Sequence, residues 1–159
     1  MRTRGTAIFF GLFCLITLGA CSSGPVRRVS EPTISIQQLA VGADGGWSVD
    51  LRLQNFSSVP MRFERISLAL SADGENAGRL EAAPALTVAP ESVDIVTLTL
   101  RPSSEARIVV ANALADRRSL GYSLEGETEA AAEDRKTKEY RIKRESALSP
   151  VPGLPGVMR

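Results

Sequence analysis

The chain has 159 residues, with 19 basic and 18 acidic side chains, two cysteines and no histidine. This near-even balance gives no basic patch that would predict nucleic-acid binding, and 43% hydrophobic residues is ordinary for one folded domain. Without histidine the commonest general base and zinc ligand is missing, which excludes most hydrolytic triads and zinc sites. We expect neither a cofactor nor an enzymatic activity.

The first 20 residues have the layout of a secretory signal. Arg2 and Arg4 precede an apolar run from Ala7 to Leu18, which ends in the small residues Gly19 and Ala20. The run is shorter than the roughly 20 apolar residues that span a bilayer. We therefore predict that residues 1–20 are removed, with an uncleaved anchor helix as the alternative.

The stretch Leu18-Gly19-Ala20-Cys21 resembles the lipobox of bacterial lipoproteins. The resemblance implies cleavage between Ala20 and Cys21, an S-diacylglycerol group on the Cys21 thiol and an N-acyl chain on the new N-terminus. Membrane lipid would then be a partner of the chain through Cys21; an ordinary cleaved signal is the alternative. Because Ser22 rather than Asp follows, the sorting rule of enteric-type lipoproteins implies the outer membrane of the cell envelope, facing the periplasm.

Removal of the signal leaves a mature chain with 17 basic and 18 acidic residues and without a disulfide, since Cys14 leaves with the signal. Residues 21–31 are small and polar and predict a tether. Within them, Arg27 and Arg28 either contact anionic head groups, worth about 1 kcal/mol per charge, or are solvated linker charges. We favour the second interpretation.

From Pro32 onward the hydrophobic residues recur with a period of two, which predicts β-strands. In the clearest of these strands, Trp47 begins a core-facing row; a ligand platform is the alternative for this side chain. A change of parity near Gln38 predicts a β-bulge in a first strand or the end of that strand, and one at Glu64-Arg65 predicts a β-bulge in a long strand over 61–70. Asp73-Gly74 predicts a hairpin turn.

In the second half, strands are predicted from Gly78, over 93–100, over 120–126 and over 139–145. Ser103 or Ser104 is placed to cap a short helix, because the apolar residues that follow are spaced by three and four. Residues 127–138 predict a charged connection rather than a metal site. The Pro- and Gly-rich residues 147–159 predict an extended tail, mobile rather than docked on a partner.

About seven short strands and one helix late in the chain predict an all-β fold, an antiparallel immunoglobulin- or fibronectin-III-like β-sandwich over residues 32–146. Its predicted core consists of Ile34, Ile36, Val49, Leu51, Leu53, Phe63, Leu68, Leu70, Val96, Leu98, Tyr122 and Ile142.

The order of several short motifs resembles the type 2 late-embryogenesis-abundant domain, also called the water-stress and hypersensitive-response domain. They are Pro32-Thr33-Ile34-Ser35-Ile36, the strand ending in Asn55 with Pro60 after it, the long strand Met61–Leu70, and Tyr122-Ser123-Leu124-Glu125-Gly126. The family often has Asn-Pro-Asn where this chain has Asn55-Phe56-Ser57. The resemblance implies a folded, non-catalytic sandwich linked to desiccation and other stress.

The leading functional hypothesis is therefore an envelope lipoprotein whose sandwich binds or protects other molecules during water stress. The alternative is a scaffold or assembly subunit, with an envelope protein partner held by a sheet edge or by the tail. An enzyme is the least favoured class, since Asp50, Glu64 and Asp94 are isolated carboxylates on separate predicted strands.

Overall fold

The computed structural model describes residues 27–159. The predicted signal, the cleavage point between Ala20 and Cys21 and residues 21–26 of the predicted tether lie outside the described residues. Within the described range the chain forms nine strands and one helix, in this order: β1 Thr33–Val41, β2 Trp47–Gln54, β3 Met61–Ala72, β4 Glu75–Ala82, β5 Leu86–Val88, β6 Val93–Leu100, α1 Ser104–Ala115, β7 Leu120–Ala132, β8 Lys138–Leu148 and β9 Val157–Met158.

The strands form two antiparallel sheets, which confirms the predicted all-β sandwich. One sheet has the order β6-β2-β1-β9, and the other has the order β4-β3-β7-β8. The short strand β5 also pairs with β3, beside the same edge that β4 covers farther along. The long strands β3 and β7 are therefore the two central strands of the second sheet.

The core lies between the sheets and follows the predicted alternation. Along β2 buried and half-exposed residues alternate without a break, and Trp47 is only 2% exposed, as expected for a core residue. Ten of the twelve predicted core residues are buried. The other two, Val96 and Leu98, are only half-buried because β6 is the edge strand of its sheet.

The predicted irregularities are confirmed. The register between β1 and β2 shifts between Ile36 and Gln38, and that between β3 and β7 shifts between Phe63 and Arg65. Asp73 and Gly74, with φ of 45° and 88°, form the two-residue turn between β3 and β4. Two successive positive φ angles are typical of the tight hairpin turns whose twist matches that of the strands.

The predicted helix is confirmed as α1, and Ser103 is its cap. The Ser103 Oγ accepts a hydrogen bond from the Ala106 amide at 3.1 Å. This bond satisfies one of the amides that a helix leaves unpaired at its start. Ala106, Val110 and Ala113 form the buried face of the helix.

The prediction of a charged connection over 127–138 is wrong for most of its length. Strand β7 continues to Ala132 and β8 starts at Lys138, so residues 133–137 alone connect them. The alternation persists through β7, but its buried members there are the small or polar Thr128, Ala130 and Ala132. Such residues give a weak hydrophobic signal beside exposed glutamates.

The prediction of a mobile tail is also wrong. Strand β8 extends to Leu148, and after an irregular turn β9 pairs with Leu39 and Ala40 of β1. Met158 is fully buried in the core, and the Val41 amide donates a hydrogen bond to the Gly156 carbonyl at 2.9 Å. The last residues of the chain are therefore part of the sandwich.

Candidate functional site

One end of the sandwich receives the N-terminal segment and is the candidate site. Strand ends that pair at this end include Thr33 with Gln54, Gln54 with Val93, and Met61 with both Val88 and Ala132. The surface there consists of residues 27–32, 55–60, 89–92 and 133–138, which we call the N-terminal pole. The opposite pole carries the β1–β2 turn, α1 and residues 149–156.

Residues 27–30 of the predicted tether are attached to this pole through backbone hydrogen bonds. The Arg28 amide donates to the Ser58 Oγ at 2.8 Å, and the Ser58 amide donates back to the Arg28 carbonyl at 3.0 Å. The Ser30 amide donates to the buried Ser57 Oγ at 3.0 Å. The segment therefore lies along the β2–β3 loop as part of the folded domain.

The two arginines of the segment form ion pairs with the domain. Arg27 contacts Glu133 at 2.8 Å and Asp134 at 3.1 Å, in the β7–β8 loop. Arg28 contacts Glu91 at 3.0 Å and also donates to the Phe56 carbonyl at 3.2 Å. The expectation of simply solvated linker charges is wrong, because both arginines join the segment to three loops.

Asn55 fixes the shape of the β2–β3 loop from inside. Its side chain is fully buried, and its Nδ2 donates to the carbonyls of Val59 at 2.9 Å, Val88 at 3.2 Å and Ala89 at 3.0 Å. Its Oδ1 accepts from the Ser57 amide at 2.8 Å. Asn side chains commonly bond the neighbouring backbone, as the bond with Ser57 does, whereas the bonds to residues 88 and 89 lie beyond what local sequence can show.

Phe56 lies on this fixed loop with 41% of its surface exposed. An exposed phenylalanine is unfavourable in water, and here the loop cannot easily fold it inward because Asn55 and Ser57 are both held by hydrogen bonds. The side chain therefore stands as an apolar projection on the N-terminal pole.

A second aromatic ring near the pole is buried. Burial raises the pKa of the Tyr140 phenol above its usual value, the negative charge of Glu31 adds to this, and the positive charge of Arg135 opposes it. The Lys138 Nζ lies 5.0 Å from the centre of the same ring. Tyr140 thus remains a neutral core residue at physiological pH rather than an acid or base.

A cleft lies at the opposite pole. It has a volume of about 720 Å³ and is formed by Leu114, Ala115, Arg117 and residues 150–156. Its walls are mostly apolar and proline-rich, and Leu154 is 49% exposed beside it. It contains one charged residue, Arg117, and so offers no combination of acid, base and nucleophile.

The isolated carboxylates each have a local partner. Asp50 accepts a hydrogen bond from Thr97 at 2.7 Å, Glu64 pairs with Arg62 at 2.7 Å, and Asp94 accepts from the next residue's amide at 2.8 Å. Among residues 27–159, no three His, Cys, Asp or Glu side chains are placed to hold a metal ion. Over the same range, no helix is long and apolar enough to cross a membrane.

Edge strand β6 is the most apolar sheet edge. Ile95 is 41% exposed on it, and Asp94 is its one charged residue. The register with Leu53 places Asp94 on the inner face at the start of the strand. An inward charge of this kind discourages unspecific strand addition.

The buried indole of Trp47 is the one described side chain whose buried polar atom, Nε1, has no hydrogen-bond partner. The ring lies at the end of the core row, close to the β1–β2 turn. With the ring only 2% exposed, the alternative of a ligand platform is not supported by its position.

No protein-family model matches the chain, and no curated protein matches it in sequence. Among solved structures, the chain is similar to a protein from Archaeoglobus fulgidus, with 15% identity and a TM-score of 0.45 over 78% of this chain and 98% of that one. It is also similar to AT1g01470 from Arabidopsis thaliana, with 12% identity and a TM-score of 0.47 over 82% of this chain and 87% of that one.

Proposed function

We propose that this chain is a lipoprotein of the cell envelope, held in the membrane through acyl groups on Cys21. Its sandwich, which resembles the type 2 late-embryogenesis-abundant domain in the order of its motifs, would bind or protect other molecules during desiccation or related stress without catalysing a reaction. Ser22 favours the outer membrane, with the domain facing the periplasm.

The observation that carries the proposal is the attachment of residues 27–30 to the N-terminal pole. A lipid-bearing Cys21 would be followed by only five residues before Arg27, which is already paired with Glu133 and Asp134. The domain would therefore be held close to the membrane by a short link.

A non-catalytic role is supported by how the polar side chains are used. The buried polar residues of the described chain are Asn55, Ser57 and Thr128, and each is bonded to backbone that shapes a loop or a bulge. Thr128, for example, donates to the Arg65 carbonyl, at the β3 bulge, at 2.8 Å. Side chains whose hydrogen bonds hold the backbone in this way are not available for acid, base or nucleophilic chemistry.

Replacement of the predicted acylation site tests the anchor. For wild type we expect extraction from membranes only with detergent, and a mass that equals residues 21–159 plus a diacylglycerol and one acyl chain. Cys21→Ala should lack both additions, because the thiol that accepts the diacylglycerol is gone. Cys14→Ala is the matched control and should behave like wild type, since residue 14 leaves with the signal. A wild-type protein that is soluble and unmodified would overturn the anchor.

A drying assay tests the protective role. We expect the processed protein, in detergent micelles, to preserve the activity of a test enzyme through drying at a low molar ratio, above an inert protein in the same micelles. No protection above that control would contradict the role. If one envelope protein were then recovered at a fixed stoichiometry, and Ile95→Lys abolished its recovery, the scaffold function through β6 would replace our proposal.

A further inference from the structure

We infer that the N-terminal pole rests on the lipid bilayer, with Phe56 inserted among the lipid head groups as a second attachment beside the acylated Cys21. The inference rests on the anchor proposed above and adds to it the face of the domain that meets the membrane. The partner is a lipid surface, recognised by one apolar side chain and a small excess of unpaired positive charge.

The length of the link limits which face can meet the bilayer. Six backbone steps separate Cys21 from Arg27, and at about 3.3–3.6 Å per step they span at most about 22 Å. The two poles are separated by the length of β3, whose 12 residues give eleven steps, or about 36 Å at 3.3 Å per step. The pole that holds Arg27 is therefore the one kept next to the membrane.

Phe56 is well placed to enter that surface. It lies in the loop to which Arg28 and Ser30 are bonded, so the link that leads from Cys21 and the exposed ring occupy the same pole. The loop is already fixed by Asn55, so insertion of the ring orders little additional chain. Trp and Tyr are the aromatic residues enriched at membrane interfaces, and Phe buries apolar surface in the same region in helices that lie on the membrane.

The charges of the pole are compatible with anionic head groups. Three of its acidic residues, Glu91, Glu133 and Asp134, are paired with Arg28 or Arg27. Within the described chain Arg135, Lys136 and Lys138 make no ion pair, and Glu31 is the one acidic residue of the pole that makes none. Because Arg27 is shared by two of these carboxylates, the pole as a whole has five basic and four acidic side chains and a net charge of +1, which attracts it weakly to an anionic surface.

Site-specific labelling can test this orientation, because an acylated Cys21 has no free thiol and the mature chain has no other cysteine. We would place a fluorophore on Thr137→Cys, an exposed and uncharged position of the N-terminal pole, or on Leu154→Cys, at the opposite pole. The acylated proteins are then reconstituted in vesicles of phosphatidylcholine and phosphatidylglycerol that contain a lipid-borne quencher. We expect quenching several-fold stronger at position 137 than at 154.

The contribution of Phe56 is tested in the Thr137→Cys background. Phe56→Ser should reduce the quenching at least twofold, whereas Ile108→Ser, which removes an exposed side chain from α1, should leave it unchanged. Far-ultraviolet circular dichroism confirms that each variant is folded. Equal quenching at 137 and 154 in a protein whose mass shows acylation would overturn the inference and leave the anchor standing. A mass without acyl groups, with Cys21 itself labelled, would overturn both.

Discussion

Asn55→Ala is expected to lower the free energy of unfolding by about 3–4 kcal/mol, because each buried polar group left unpaired costs about 1–3 kcal/mol. The substitution removes every side-chain partner of the Val59, Val88 and Ala89 carbonyls and of the Ser57 amide. The change is measured by urea unfolding followed through the fluorescence of Trp47, the one tryptophan of the chain.

Gln54→Ala is the matched control for this prediction. Gln54 precedes Asn55 on the same strand, but its half-exposed side chain makes no hydrogen bond among those described, so we expect a change below about 0.5 kcal/mol. Equal effects of the two substitutions would show that Asn55 does not hold the loop.

Asn55→Asp tests the same hydrogen bonds through the pH dependence of the stability of the variant. The introduced carboxylate would face three carbonyl oxygens, and their repulsion would raise its pKa above the unfolded value. A group with a raised folded pKa stabilises the fold below its unfolded pKa and loses that contribution as pH rises through the folded pKa. We therefore expect this variant to be less stable at pH 7 than at pH 4, relative to wild type.

Met158→Ala is expected to lower the free energy of unfolding by about 2–4 kcal/mol, as is usual for truncation of a buried methionine. Met158 is fully buried at the edge of β1, directly before Arg159. The same fluorescence-detected urea unfolding measures the change.

Leu154→Ala is the control, because Leu154 belongs to the same segment but is 49% exposed; we expect less than about 0.5 kcal/mol. If the Met158→Ala protein were as stable as this control, the result would support a mobile tail instead of a packed β9. Deletion of residues 149–159 is a poor test of partner binding, because it would remove β9 and destabilise the whole sandwich.

Local alternation was sufficient to predict most of the fold. The bulges at Gln38 and Glu64-Arg65 were visible because a bulge changes the parity of the buried residues along a strand. The Asp73-Gly74 turn and the Ser103 cap were visible because each depends on residue types at adjacent positions. These features are encoded within a few residues.

Features that depend on distant pairing could not be predicted in the same way. Val157-Met158 is too short to show a period, and its strand exists only because Leu39 and Ala40 provide an open edge. The N-terminal pole likewise depends on contacts between residue 27 and residues 133–134, which no local pattern reveals. The proposed acylation of Cys21 rests on its motif alone, whereas the role proposed for Phe56 rests on the position of its loop in the fold.

The pairing of β9 with β1 also fixes when the domain can be completed. Gln38 and Arg159, which hydrogen-bond at 2.8 Å, are 121 positions apart, so β1 can pair with β9 only once residues 157–159 are present. Contacts between distant residues slow folding, since a long loop must close before they form. Until β9 pairs with it, the outer edge of β1 near Leu39 is therefore a further open edge, besides that of β6, at which wrong strand pairing can occur.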